Sequence, residues 1–114
     1  MNEGIKTVLY PVKDVAKAKT RFTQLLGTQP YADQPYYVGF KVAGQDIGLV
    51  PEGSNGMTGA IAYYHVGDIQ ASLQGLLDAG GETQQKVRDV GGGRLVASVK
   101  DADDNVIGLI QDPA

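Results

Sequence analysis

Residues 4–27 read GIKTVLYPVKDVAKAKTRFTQLLG, and residues 60–81 read AIAYYHVGDIQASLQGLLDAGG. Both stretches begin with a run of apolar and β-branched residues, which favours a strand. Both then place an aspartate, Asp14 or Asp68, where its carboxylate can accept from the free N–H groups of a first helical turn. After Asp14 come Val15, Ala18, Phe22, Leu25 and Leu26, at offsets of 3, 7, 10 and 11 from the first. That spacing puts all five on one helix face. Ile69, Leu73, Leu76 and Leu77 line a second helix after Asp68. Gly27 stands where a helix closes in the left-handed conformation, and Gly80-Gly81 stop the second helix.

Working outward, Tyr31 opens a short extended stretch, residues 35–43 read as a strand, and 45–51 return as its partner. Ala43-Gly44 is the two-residue turn of that hairpin. Residues 51–59 hold three glycines and a proline, a loop composition. Further strands are expected at 82–90, 94–101 and 105–111, with turns at Gly91-Gly92-Gly93 and over 101–105. Val12-Lys13-Asp14 matches Val66-Gly67-Asp68 at an offset of 54, and Ile47-Gly48-Leu49 matches Ile107-Gly108-Leu109 at an offset of 60. One element order is therefore used twice. The expected fold is α+β, a single domain over 1–114 made of βαβββ modules 1–57 and 58–114, with eight strands in a curved mixed sheet and two helices outside. Each small module leaves apolar surface and open edge strands, so the modules pack or exchange and a homodimer is expected.

Composition narrows the partners. The chain has 114 residues, 42% apolar and 20% charged, an ordinary globular mixture. Ten basic and 13 acidic side chains give 10 − 13 = −3. That balance lacks the positive field of a nucleic-acid binder. With no cysteine there is no disulfide, thiolate metal site or cysteine nucleophile. No apolar run nears the ~20 residues of a membrane span. The opening Met-Asn-Glu-Gly-Ile-Lys lacks the apolar core of a secretory signal, so a cytoplasmic location is expected.

The hairpin turn fixes side-chain parity. Val42 pairs with Gln45, Lys41 with Asp46, Phe40 with Ile47, Gly39 with Gly48, Val38 with Leu49 and Tyr37 with Val50, and paired residues share a face. Val38, Phe40, Ile47 and Leu49 form an apolar face for the helix. Tyr37, Gly39, Lys41, Asp46, Gly48 and Val50 form the other, with a hollow where two glycines meet. The same alternation places Thr7, Leu9 and Pro11 on that second face, then Ile61, Tyr63 and His65, then Val96, Ser98 and Lys100, then Val106, Gly108 and Ile110.

Val-x-Asp followed by Phe22-Thr23-Gln24-Leu25-Leu26-Gly27 resembles the vicinal oxygen chelate superfamily of glyoxalases, extradiol dioxygenases and bleomycin-resistance proteins. Gly92-Gly93-Arg94-Leu95-Val96 and the stretch 101–109 are similar to its closing hairpin, with Ala102 and Asp104 where the family's turn has Pro and Gly. The resemblance implies that the second face is a concave, ligand-binding cup. It also implies metal ligands five residues before each valine of Val-x-Asp, and on the last strand of each module. Here those positions are Thr7, Ile61, Gly48 and Gly108. A divalent metal needs about three or four N, O or S donors, and these four offer at most one weak donor. No metal and no cofactor are therefore expected.

The resulting expectation is a metal-independent protein that sequesters a small, partly apolar or aromatic molecule. Its ligand-binding residues would be Thr7, Leu9, Tyr37, Lys41, Gly48, Ile61, Tyr63, His65, Ser98 and Gly108, with the two tyrosines stacking on the ligand. The alternative is a glyoxalase- or dioxygenase-type enzyme with other metal ligands or with proton transfer through His65. A third reading is a dimer whose cup is filled by Tyr63 and Leu9. His65, the single histidine, reads as a structural residue, a ligand contact or the one candidate acid–base group. Lys41 and Asp46 read as a cross-strand ion pair, Tyr36 and Tyr64 as core or interface, and Lys13, Lys17, Lys19 and Arg21 as a solvated helix face. Asp101, Asp103 and Asn105 look like the start of a calcium loop. Val106 and Asp112 stand where such a loop needs Gly and Glu, so a solvated turn is expected.

Overall fold

A computed structural model describes residues 2–113. The elements are β1 (Asn2–Val12), α1 (Val15–Leu26), β2 (Ala32–Gln34), β3 (Tyr37–Val42), β4 (Gln45–Pro51), a 3-10 turn (Ser54–Gly56), β5 (Ile61–Val66), α2 (Ile69–Asp78), β6 (Glu82–Asp89), β7 (Leu95–Lys100) and β8 (Val106–Gln111). The fold is α+β, with a mixed open eight-stranded sheet in the order β2-β3-β4-β1-β5-β8-β7-β6. Each module contributes one parallel pair, β1 with β4 and β5 with β8. Among the described residues no helix is long and apolar enough to cross a membrane.

The residues form two compact units, one over 7–61 and one over 2–6 with 62–113. In the first, Asp14 caps α1 by accepting from the Lys17 N–H at 3.0 Å. Gly27 closes it at φ 69°, its N–H donating to the Thr23 carbonyl. Ala43 and Gly44 both have positive φ, 51° and 78°, as a type I′ turn requires. That turn sets the hairpin register, and five of the six expected cross-strand pairs, from Val42–Gln45 to Val38–Leu49, are in the ladder. Ala18 packs on Val38, Phe40 and Leu49, flanked by Val12, Val15, Phe22, Leu26 and Ile47. Phe22 links Tyr10 and Phe40, with ring centres 5.3 and 6.5 Å away.

Two expectations fail on α1. Leu25 shares the apolar stripe by spacing but is 74% exposed. A single 12-residue helix rests on its sheet along a narrow line, and Leu25 lies past the edge of that line. Lys19 is not simply solvated, because its ammonium pairs with Asp33 of β2.

In the second unit, Asp68 accepts from the Ala71 N–H at 3.1 Å to start α2. Ile69, Val66, Ala97 and Leu109 form the core, joined by Tyr64, Leu73, Leu76, Val87 and Leu95. Tyr64 is thus a core residue as expected, whereas Tyr36 is 67% exposed. Gly81 is a required glycine, since a Cβ there would stand 2.6 Å from Val99 Cγ1 and 2.9 Å from the Leu76 carbonyl oxygen. Two register shifts in β6 bend its pairing with β7. The turn between β7 and β8 is closed by Asp101, which accepts from the Asn105 side chain and from the N–H groups of Asn105 and Asp103. Those bonds hold its carboxyl below the ordinary aspartate value, the Asn105 side-chain bond contributing most.

Phe40 has no exposed surface, so Phe40→Ala should cost about 3–5 kcal/mol in urea denaturation. Leu25→Ala should change stability by no more than about 0.5 kcal/mol in the same measurement.

Candidate functional site

Each unit uses one sheet face for its helix. The opposite face carries the residues singled out from the sequence. In the unit over 7–61 the cross-strand pair Gly39–Gly48 sits in the middle of that face. The space above it is filled by side chains of the same unit. A Cβ built at Gly48 would stand against Leu9 Cδ2, 2.8 Å from Tyr37 Cε1 and 3.1 Å from its hydroxyl oxygen. At Gly39 it would stand 2.8 Å from Tyr37 Cε2 and 2.9 Å from the Tyr31 hydroxyl. The glycines therefore let rings approach the backbone where an open hollow was expected. Thr7 is buried, and its register partner Asp46 forms an ion pair with Lys41 at 3.6 Å.

The second unit repeats the device. Tyr63 is the parallel neighbour of Gly108, and its ring lies over that glycine, 2.5–2.8 Å from where a Cβ would project. Tyr63 occupies the place that Leu9 has beside Gly48. Burial pushes its phenol above the ordinary value of 10.0, against the opposing pull of the Arg88 guanidinium. Ser98, beside Gly108 in the register, is buried and hydrogen-bonded to Gln84. His65, two residues beyond Tyr63, is buried with Nδ1 at 3.2 Å from an Asp112 carboxylate oxygen. The other Asp112 oxygen lies 3.0 Å from Arg94 Nε. Ile61, the last residue of the unit over 7–61, is buried as well.

The expected residues thus gather as two sets. Leu9, Tyr37 and Gly48 touch in one unit, with Thr7 and Lys41 beside Asp46. Tyr63 and Gly108 touch in the other, with Ser98 and His65 nearby. Sequence reasoning missed Tyr31, Gln84, Arg88, Arg94 and the contact role of Asp112. Tyr31 left no parity signal, because the register sets Ala32 opposite Gly39 and its ring reaches the glycine from the strand's end. The His65–Asp112 contact joins residues 47 apart and left no local trace.

The donor set does not fit a metal of the kind the resemblance implies. Gly48 and Gly108 have no side chain and are covered by rings, and Ile61 is apolar. Among the described residues no group of three or more His, Asp or Glu could hold a metal ion.

The model of the Glyoxalase/Bleomycin resistance protein/Dioxygenase superfamily matches residues 4–109. The chain belongs to that superfamily. No curated protein sequence matches it. Among solved structures, methylmalonyl-CoA epimerase from Mycobacterium tuberculosis is similar, with TM-score 0.78 and 17% identity over 99% of this chain and 90% of that one. A Streptomyces coelicolor methylmalonyl-CoA epimerase variant in complex with 2-nitronate-propionyl-CoA has TM-score 0.76 and 11% identity, with both chains covered fully. A structure described as NAD-dependent benzaldehyde dehydrogenase from Legionella pneumophila has TM-score 0.74 and 20% identity over 94% of this chain and 98% of that one. At these identities the superfamily likeness is one of fold, and the fold hosts many chemistries.

The raised value of Tyr63 has a measurable consequence. The folded state disfavours its phenolate, so its contribution to stability is complete below pH 10.0 and is lost as pH rises through the higher folded value. Urea unfolding across the alkaline range should show this loss, and Tyr63→Phe should reduce its slope.

Proposed function

We propose that this superfamily member is a metal-independent binding protein for a small, flat, partly apolar organic molecule. The observation that carries the reading is the pair of glycines, Gly48 and Gly108, at the positions where the resemblance implies ligating side chains. Both lie beneath tyrosine rings. The strands thus present aromatic surface in place of metal donors. Aromatic faces bind by apolar contact, and a few fixed polar groups set the ligand's orientation. Lys41, His65 and Ser98 are the polar groups of this reading, with Thr7, Leu9 and Ile61 as lining. The two modules, 1–57 and 58–114, act as one domain, and a cytoplasmic homodimer with no nucleic-acid partner is the form we infer.

A second reading has a specific observation behind it. Asp112 sits against His65 Nδ1 and would fix the imidazole's tautomer and orientation, as an acid–base histidine requires. In that reading the protein moves a proton on its ligand without a metal. The similar Streptomyces coelicolor epimerase variant is in complex with 2-nitronate-propionyl-CoA.

The test is elemental analysis of untagged protein, followed by thermal-shift titration with Mn, Fe, Ni and Zn and with a panel of aromatic small molecules. No stoichiometric metal and a rise in Tm with an aromatic compound are expected. One tightly held metal per chain would overturn the reading. For the second reading, deuterium from D2O should enter a bound ligand with the intact protein and not with His65→Asn. Equal incorporation by both would remove His65 from the chemistry.

A further inference from the structure

Strand β6 departs from regular pairing, and the departure changes what it offers to the sheet face away from α2. Its ladder with β7 runs Thr83–Val99, Gln85–Ser98 and Arg88–Val96, with one register shift after Thr83 and another after Gln85. An irregularity of this kind re-aims side chains. Gln84 has no register partner, yet its side-chain oxygen accepts from the Ser98 hydroxyl. Its amide therefore lies on the face of Ser98, Gly108 and Tyr63, which are neighbours across three strands. Arg88 is on the same face. It stands opposite Val96, which alternates with the core residue Ala97, and its own neighbour Val87 packs on the α2 core.

Three side chains on this face have donors to spare and no acceptor that answers them. The Gln84 oxygen is taken by Ser98, which leaves the two N–H donors of its amide. Arg88 is exposed and brings five donors in a planar fork. Tyr63 is only 9% exposed, and its hydroxyl has no hydrogen-bond partner among the described residues. β6 and β5 are three strand spacings apart, about 14 Å at ~4.8 Å each, so Arg88 comes near the phenol by reaching inward over β7. Its charge is felt there: burial raises the phenol, and the guanidinium opposes that rise. A raised phenol is neutral at pH 7, so it donates and leaves the guanidinium charge uncompensated. Asp112 is engaged by His65 and Arg94, and Asp89 accepts from the Gly91 N–H. Among the described residues no carboxylate forms an ion pair with Arg88.

We propose that the Tyr63 hydroxyl, the Gln84 amide and the Arg88 guanidinium form a site for the carboxylate of a small organic acid. The guanidinium takes the charge from the exposed side, while the phenol and the amide donate from the floor. The Tyr63 ring stays on Gly108, and only its rim hydroxyl meets the ligand. Ser98 acts through Gln84, by fixing which way the amide is turned. The acid's apolar body rests on half-buried Val96, which stands between Arg88 and Ile110 in the ladder. The net charge of −3 opposes an anion, which makes binding depend on Arg88. This site rests on the small-molecule binding reading and names its ligand class.

The probes are benzoate, its neutral isostere benzamide and inorganic phosphate, titrated into the full chain by calorimetry and by NMR of the tyrosine rings. Benzoate should bind and shift the Tyr63 resonances. Benzamide should bind about tenfold more weakly, because charge-assisted bonds are replaced by neutral ones. Arg88→Gln should bring benzoate down to the benzamide value. Gln84→Glu keeps the oxygen that Ser98 needs and puts an anion where the donors were, so it should abolish benzoate binding. Bound benzoate should also raise the alkaline titration of the Tyr63 ring further, since a second negative charge disfavours the phenolate. Unaltered circular dichroism and Tm would show that both variants still fold. Equal affinity for benzoate and benzamide, benzoate binding unchanged by Gln84→Glu, or phosphate bound as tightly as benzoate would each overturn the site. So would absence of benzoate binding while another aromatic compound binds, which leaves the binding reading standing. Absence of binding across the whole aromatic panel would remove both.

Discussion

One helix covers one face of a four-stranded unit, and the other face must be closed by the strands themselves. In the unit over 7–61, α1 covers Val38, Phe40 and Leu49. In the other unit, α2 covers Ala97 and Leu109. The opposite faces have no helix of their own, and buried backbone beneath them needs an apolar cover. Both units solve this in the same way. A glycine on the last strand of each module removes a Cβ, and a tyrosine ring lies down on the exposed peptide. A ring that close excludes water from the strand and still carries a hydroxyl at its rim.

That solution redirects the chemistry of the fold. A side chain projecting from residue 48 or 108 would point into the same space that Tyr37, Leu9 or Tyr63 now fills. Donor and ring are alternatives at such a position. With the rings in place, the faces carry phenols, a serine, a histidine and few charges. In the binding reading proposed above, such a surface recognises its ligand by shape and hydrogen-bonding pattern.

What could be read from the sequence was what local physics controls. The two aspartate caps, the Gly27 stop and the Ala43-Gly44 turn each depend on a few neighbouring residues, and each is found in place. The hairpin register followed because a two-residue turn leaves no freedom of pairing. Leu25 was misread because periodicity gives a helix face without its width. The hollow at Gly39–Gly48 was misread for a related reason. Parity says which residues point at a space, and it does not say which of them bends over to fill it. The ring of Tyr31 and the contact between His65 and Asp112 depend on tertiary packing, which the neighbouring sequence does not record.

The surroundings of His65 are divided unequally between scaffold and periphery. The imidazole belongs to a strand, but the carboxylate beside it belongs to residue 112, just beyond β8, and is tied on its far side to Arg94. Pro113 follows directly and packs near Gly93. Strands change slowly during divergence because every second residue is packed on both sides. A peripheral segment changes freely, and relatives can exchange or recode it without disturbing a ladder. A change in those few positions would give the same histidine a different neighbour on an unaltered sheet. Two lineages could thus share every strand residue and still differ in what that imidazole does.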